Sequence, residues 1–256
     1  MKISFLGAHN TESLNTKPVS LLIDDIMALD AGGLTSSLSF SEQLKLRAIL
    51  LSHQHYDHIK DVPLLGMNLF LNNASIDVYS IPSVYESLTN YLLNDNLYPK
   101  FLEETEGGAT IKFHIVKPYQ EFKIEGYSIL PLPVVHAVPA VGYQIAPVGS
   151  ETVFYAGDTG PGLADCWQHI SPRLIIIEVT APDRYMQFGR EKGHLTPGLL
   201  KEELSGFQKV KGYLPDVVAV HMNPGLESEI GAELAVIAEE LGNSINLAYE
   251  GMKIEL

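Results

Sequence analysis

The chain has 256 residues, 46% of them hydrophobic and 19% charged, an ordinary balance for a globular protein that buries a sizeable core. Its net charge of −14 repels a polyanion unless a basic stripe offsets it, and the densest basic stretches, Lys209-Val210-Lys211 and Arg190-Glu191-Lys192, read as solvated faces rather than a nucleic-acid groove. No window approaches the roughly 20 apolar residues of a membrane span, the amino terminus turns polar too early for a signal peptide, and Cys166 is the only cysteine. One domain over residues 1–256, without an internal disulfide and located in the cytoplasm, is the expectation.

Apolar runs and turn residues predict the elements in chain order. Ile3 to Leu6, Val19 to Ile23 and Ile26 to Leu29 read as strands, with Asp24-Asp25 as a tight hairpin turn. A helical stretch from Ser36 to Leu46 precedes the strand Ala48 to Leu51. Two helices follow, Ile59 to Leu71 with Pro63 in its first turn and Val84 to Leu93 with Val84, Leu88, Tyr91 and Leu92 on one buried face. Thr110 to Val116, Phe122 to Leu130, Gly142 to Ile145, Thr152 to Tyr155 and Leu174 to Ile177 read as strands. Pro197 to Val210 is a helix with Thr196 as its cap and Leu200, Leu204 and Phe207 buried. The strand Val217 to Val220 comes next, then a helix from Ser228 to Leu241 that stops at Gly242, and Ile245 to Tyr249 with Met252 to Leu256 closes the sheet. Strands alternating with helices place the chain in the α/β class.

Polar residues with metal-binding chemistry recur where these strands end. His53-Gln54-His55-Tyr56-Asp57-His58 follows the run Ala48 to Leu51, and three imidazoles and a carboxylate in one strand-to-loop turn are costly to bury without a partner. A divalent cation supplies that partner. His136 follows Pro131 to Val135, Asp158 lies in Gly157-Asp158-Thr159-Gly160, and His221 opens His221-Met222-Asn223-Pro224. Seven ligands suit two ions. His53, His55 and His136 serve one, Asp57, His58 and His221 the other, and Asp158 bridges them, leaving room for a shared water.

The pattern His53-x-His55-x-Asp57-His58, followed by His136, Gly157-Asp158-Thr159 and the late His221, resembles the metallo-β-lactamase-fold hydrolases, with motifs spread over nearly the whole chain. Ile177-Glu178-Val179-Thr180 and Gly193-His194-Leu195-Thr196 resemble the phosphodiesterase group of that superfamily, which contains ribonuclease Z and the class II cyclic-nucleotide phosphodiesterases. The order of residues 193–204 is more similar to the cyclic-nucleotide branch, and no Gly-rich arm like that of ribonuclease Z is readable.

The resemblance implies a four-layer αββα sandwich of two mixed β-sheets with a dinuclear site at one edge. Zinc is the default metal, with manganese and iron also compatible with nitrogen and oxygen ligands. It implies that hydroxide formed on the metals attacks phosphorus in a small phosphodiester such as a cyclic nucleotide. His194 then faces the substrate as an acid, Glu178 orients it, and Asp57 counts both as a ligand and as a catalytic residue. A ribonuclease Z-like RNA 3′-processing endonuclease and a metal-binding sensor without turnover are the alternative functions. A homodimer is the default oligomer on frequency alone.

Asp30 resembles a carboxylate that holds a ligating histidine. His9 reads as a plain loop residue, His114 and His169 as surface residues, Cys166, Tyr143 and Trp167 as core, and Asn223 and Pro224 as pocket floor. Pro18 and the loops 94–108 and 186–193 are expected to shape the pocket.

Overall fold

In the computed structural model, which describes residues 1–104, 108–147, 149 and 151–256, the apolar runs pair into two seven-stranded sheets. The first half of the chain contributes β1 (Lys2–Gly7), β2 (Ser20–Ile23), β3 (Met27–Leu29), β4 (Ala48–Leu50), β5 (Ile76–Ser80) and β6 (Ile111–Ile115). The second half contributes β7 (Phe122–Ile124), β8 (Tyr127–Val134), β9 (Ala140–Pro147), β10 (Val153–Tyr155), β11 (Leu174–Glu178), β12 (Asp216–Val220), β13 (Ile245–Leu247) and β14 (Lys253–Glu255). The sheet orders are β14-β1-β2-β3-β4-β5-β6 and β13-β12-β11-β10-β9-β8-β7. In each, an antiparallel meander passes into parallel strands: β3 to β6 are parallel in one sheet and β10 to β13 in the other.

Strand periodicity separates two apolar layers. Tyr155, Ile176, Val218 and Val220 join the core formed with the first sheet, while Phe154, Ile175, Ile177, Val217 and Ala219 pack with Leu199, Leu204 and Phe207 of the helix Pro197–Lys211 and Ile230 and Leu234 of the helix Glu227–Leu241. On the far side of the first sheet, the helix Val62–Leu71 buries Val62, Leu65 and Leu69. The architecture is the αββα sandwich expected from the motifs. Parallel strands covered on both faces explain the unbroken apolar runs of β11 and β12. Among the described residues no helix is long and apolar enough to cross a membrane.

Asp24 and Asp25 form the predicted hairpin turn with φ of 46° and 61°, the left-handed pair that matches strand twist. The Tyr127 hydroxyl, on the other sheet, donates to Asp24.

Several elements differ from expectation. Residues 122–130 hold two strands, because Glu125-Gly126 turns the chain with φ of 47° and 87°. β5 was not anticipated, although its alternating burial is the signature of a half-covered strand. The helix expected over 36–46 shrinks to Phe40–Gln43, started by a capping box between Ser39 and Glu42. The helix expected over 59–71 divides into Tyr56–Ile59 and Val62–Leu71. The helix Pro82–Ser87 continues as a π turn over Leu88–Leu92, which rotates Tyr91 out of the core to 68% exposure. The helices Ala164–His169 and Met186–Lys192 were also unread in the sequence. Thr196 precedes its helix without capping it; the Asp183 carboxylate accepts from the Gly198 amide at 2.7 Å instead. The last two segments join different sheets, β13 beside β12 and β14 beside β1. Of the loop 94–108, residues 105–107 lie outside the described residues.

Candidate active site

Five strands end at one edge of the sandwich and deliver the polar residues. Asp30 follows β3, His53 follows β4, Asp158 follows β10, Glu178 ends β11 and His221 follows β12. His136 comes from the loop after β8, and the helix Tyr56–Ile59 carries Asp57 and His58. Asp57 can reach the site because Gly32 has no side chain: a Cβ there would lie 2.2 Å from the Asp57 carbonyl oxygen.

The seven predicted ligands converge. Ligand atoms of His53, His55, His136 and Asp158 lie within 4.8 Å of one another, as do those of Asp57, His58 and His221. Asp158 touches both groups: its Oδ1 is 3.3 Å from His58 Nε2, and its Oδ2 is 3.3 Å from His221 Nε2 and 3.9 Å from His53 Nε2. Asp57 Oδ2 sits 3.2 Å from His221 Nε2, and His55 Nδ1 faces His136 Nε2 at 3.1 Å. The division read from the sequence is thus the division in space. His194, expected to face the substrate, forms a third group with Asp158 and His221.

Three inward atoms, His53 Nε2, His58 Nε2 and Asp158 Oδ1, are buried without a hydrogen-bond partner. Each such atom costs about 1–3 kcal/mol in a folded interior, so three aimed at one place mark a missing partner. The outer ring nitrogens identify what that partner is. His58 Nδ1 donates to Asp30 Oδ2 at 2.7 Å, and His136 Nδ1 donates to the Gly193 carbonyl at 2.8 Å. Ser52 Oγ gives its proton to Asp30 Oδ2 and so accepts from His53 Nδ1; Thr180 Oγ1 gives its proton to Glu178 Oε2 and accepts from His221 Nδ1. In these four imidazoles the outer nitrogen is the donor, so the neutral ring turns its lone pair inward, the form a metal requires. The donor set fits divalent cations.

Electrostatics divide the cluster. Burial and then the neighbouring His58 push His53 well below the usual imidazole range, and burial likewise lowers His55 and His136. Against its burial, Asp158 is held well below the usual carboxylate range by His221 and His58. His58 moves the other way, because Asp158 and Asp30 outweigh its burial. Asp30, fully buried with φ of 55°, also accepts from the Ser52 amide and the Tyr155 hydroxyl, so it braces the His58 ring as its motif implied.

Beside this cluster Glu178 Oε1 accepts from His194 Nδ1 at 2.7 Å and from the Thr159 amide at 3.2 Å. Burial works against charge on His194, but Glu178 outweighs it and raises the imidazole to about 9. Gly193, in the left-handed region with φ of 72°, would place a Cβ 2.7 Å from the Cα of His136, so only glycine lets these two segments meet. Glu203, within the stretch 193–204, accepts from the Gly162 and Leu163 amides and fastens the loop after Asp158.

Thr180, two residues after Glu178, links Glu178, His194 and His221 through one hydroxyl, a role that no motif assigns it. Asn223 holds its own turn, accepting from the Gly225 amide. Pro18 is buried, Tyr143, Trp167 and Cys166 are core, and His114 and His169 are exposed, His114 pairing with Asp77.

His9 is not a plain loop residue. It is buried, its Nδ1 lies 2.7 Å from Glu250 and its Nε2 3.3 Å from Glu227, and its neighbour Ala8 accepts the amide of His221, itself in the left-handed region with φ of 63°. Burial disfavours charge on His9, yet Glu250 raises it above its ordinary 6.5; Glu250, despite burial, is lowered from 4.5 by His9. The histidine contribution is complete below 6.5 and fades as pH rises through the raised value; the glutamate contribution is complete above 4.5 and fades as pH falls through the lowered one. The pair therefore stabilises most between those two values. His9→Ala should cost about 2 kcal/mol in that window and flatten the pH profile of denaturant unfolding. An unchanged profile would remove the charged pair from the account.

The sequence matches the family model "Beta-lactamase superfamily domain" over residues 30–222. Ribonuclease Z from Acaryochloris marina is 32% identical over 156 residues, covering 57% of this chain and 47% of that protein, so the chain spans about half the length of this relative. Among solved structures, unliganded yeast PDE1 superimposes with a TM-score of 0.85 at 16% identity, over 100% of this chain and 99% of that one. The metallo-beta-lactamase fold protein YhfI from Bacillus subtilis gives 0.76 at 20% identity, again over 100% and 99%. At such identities the structural likeness is one of fold. The family match over the residues that carry the histidine cluster leads to one conclusion: this chain belongs to the beta-lactamase superfamily, with the metallo-β-lactamase fold.

Proposed function

We propose that this protein is a metal-dependent hydrolase of phosphodiesters, small ones such as cyclic nucleotides above all. The observation that carries the reading is the set of imidazoles whose outer nitrogens are held as donors, so that the neutral rings turn a lone pair inward around the buried Asp158. His53, His55 and His136 would hold one divalent ion and Asp57, His58 and His221 a second, with Asp158 in reach of both; zinc is the default, with manganese and iron as alternatives. Bound there, the ions bring the pKa of water toward about 7 and take up charge on the phosphoryl oxygens.

The chain's own residues do the rest. Glu178 and Thr180 fix His194 so that its Nε2 proton is available to the departing oxygen, and Glu178 stabilises the charged ring beforehand. Asp57, partly open to solvent with its Oδ2 3.2 Å from His221 Nε2, would accept a proton from the attacking water.

Small substrates are favoured because basic side chains are already engaged: Arg190 forms a two-oxygen pair with Glu202, and Arg184 pairs with Glu229. The identity to ribonuclease Z supports RNA 3′ processing as the second reading. The test is a screen of the purified protein, loaded with zinc, manganese or iron(II), against bis(p-nitrophenyl) phosphate, 2′,3′- and 3′,5′-cyclic nucleotides and pre-tRNA. Hydrolysis of the small diesters that a chelator abolishes and added ions restore is the expected result. Cleavage of pre-tRNA alone would transfer the protein to the second reading, and metal binding without any turnover would make it a sensor.

A further inference from the structure

Among the ligands, His221 stands out for its backbone. Its φ of 63° lies in the left-handed region, which residues other than glycine leave unless neighbours hold them there. Two holds are visible. Thr180 accepts from the ring Nδ1 at 2.9 Å, and the loop after β1 grips the main chain: the Ala8 carbonyl accepts from the His221 amide at 2.6 Å, and the Asn10 amide donates to the Met222 carbonyl at 3.2 Å. His9 stands between these two bonds, bridged to Met222 on one side and Pro18 on the other. His53 and His136 are braced from elsewhere, by Ser52 and the Gly193 carbonyl. Through His221 the loop after β1 therefore bears on the second ligand set.

The His9 side chain secures that loop. It is 3% exposed, and its Nδ1 lies 2.7 Å from Glu250 Oε1; a carboxylate only accepts, so the ring donates. The same Oε1 takes the Lys17 amide at 2.8 Å and the Ala8 amide at 3.3 Å, which closes the loop from both of its ends. Glu250 lies on the crossover between β13 and β14, and Glu227, 3.3 Å from His9 Nε2, opens the helix that follows the His221 segment. One buried ring thus ties stretches far apart in the chain to a segment bonded to the ligand's own backbone. We infer that His9 is a positioning residue for the second ion: donating through Nδ1 to Glu250, it holds residues 8–10 against His221 and keeps that ligand in its binding conformation. This rests on the two-ion reading of the site and adds to it a residue outside the ligand motifs.

Zinc titrated into the metal-free full chain against a chromophoric chelator reports each ion's dissociation constant without needing turnover. The wild type should bind two ions, and His9→Ala should weaken one of them about tenfold, the lower end of the range for groups that orient a ligand. His9→Asn, whose side-chain amide donates from the place of Nδ1, should restore it. His9→Gln, whose amide reaches the place of Nε2 instead, should show the loss, and it takes the place of His9→Ala if that variant does not fold. Single-site backgrounds identify the affected ion. Added to His136→Ala, which leaves the second set complete, His9→Ala should weaken the remaining ion by the same factor; added to His221→Ala it should change nothing. A merely structural role would weaken both. Unchanged zinc affinities in His9→Ala, equal losses in the two backgrounds, or a loss that His9→Asn does not relieve overturns the inference and leaves the two-ion reading standing. A wild type that binds fewer than two ions removes that reading and the inference together.

Discussion

Asp158→Ala is expected to lower phosphodiester hydrolysis by on the order of ten-thousand-fold, because removing a group that both ions share disables the constellation as a unit. Asp158 lies within 4 Å of ring nitrogens from His53, His58, His136 and His221. Bound metal should fall with activity, since the second set retains only Asp57, His58 and His221 and the first only its three imidazoles. Circular dichroism should stay native, because the sheets are secured by apolar layers elsewhere. Full metal content with near-normal turnover would show that Asp158 is not shared.

His194→Ala is the second large effect, a fall in kcat of about 10²–10⁴-fold with metal content unchanged, the range of a lost general acid. The loss should be greatest for poor alkoxide leaving groups and smallest for p-nitrophenolate, which leaves without a proton. An acid works only while protonated. With Glu178 raising His194 to about 9, activity should hold through neutral pH and decline as pH passes that value. Glu178→Gln removes the charge that raises it, so the alkaline limb should move to lower pH while the fold persists. PH–rate profiles of both variants check this. A limb that stays in place in Glu178→Gln would separate the pair from proton transfer.

The sequence was most informative where ligands are local. His53 to His58 occupy one turn, and His136, Asp158 and His221 stand out as polar residues closing apolar runs, so both sets of three and the shared carboxylate could be named before any contact was seen. Asp30 and the Glu178–His194 pair were legible only through family motifs. Thr180 and His9 were not legible, for a physical reason: an ordinary hydroxyl becomes a relay, and an ordinary loop histidine becomes a buried ion, only when distant segments meet. The partners of His9 lie 218 and 241 residues away along the chain. Tertiary context also decided which sheet β13 and β14 joined, although their apolar runs were visible. The outward Tyr91 reflects the π turn, which shifts a 3.6-residue pattern out of register. β5 was different: its alternation was present in the sequence and went unread.

Metal content per folded chain, determined by elemental mass spectrometry after purification without chelators, bears most directly on the account. Two divalent ions per chain, reduced by Asp158→Ala but retained by His194→Ala, is the predicted result. A natively folded chain that takes up no divalent ion even when zinc, manganese and iron(II) are supplied would contradict it.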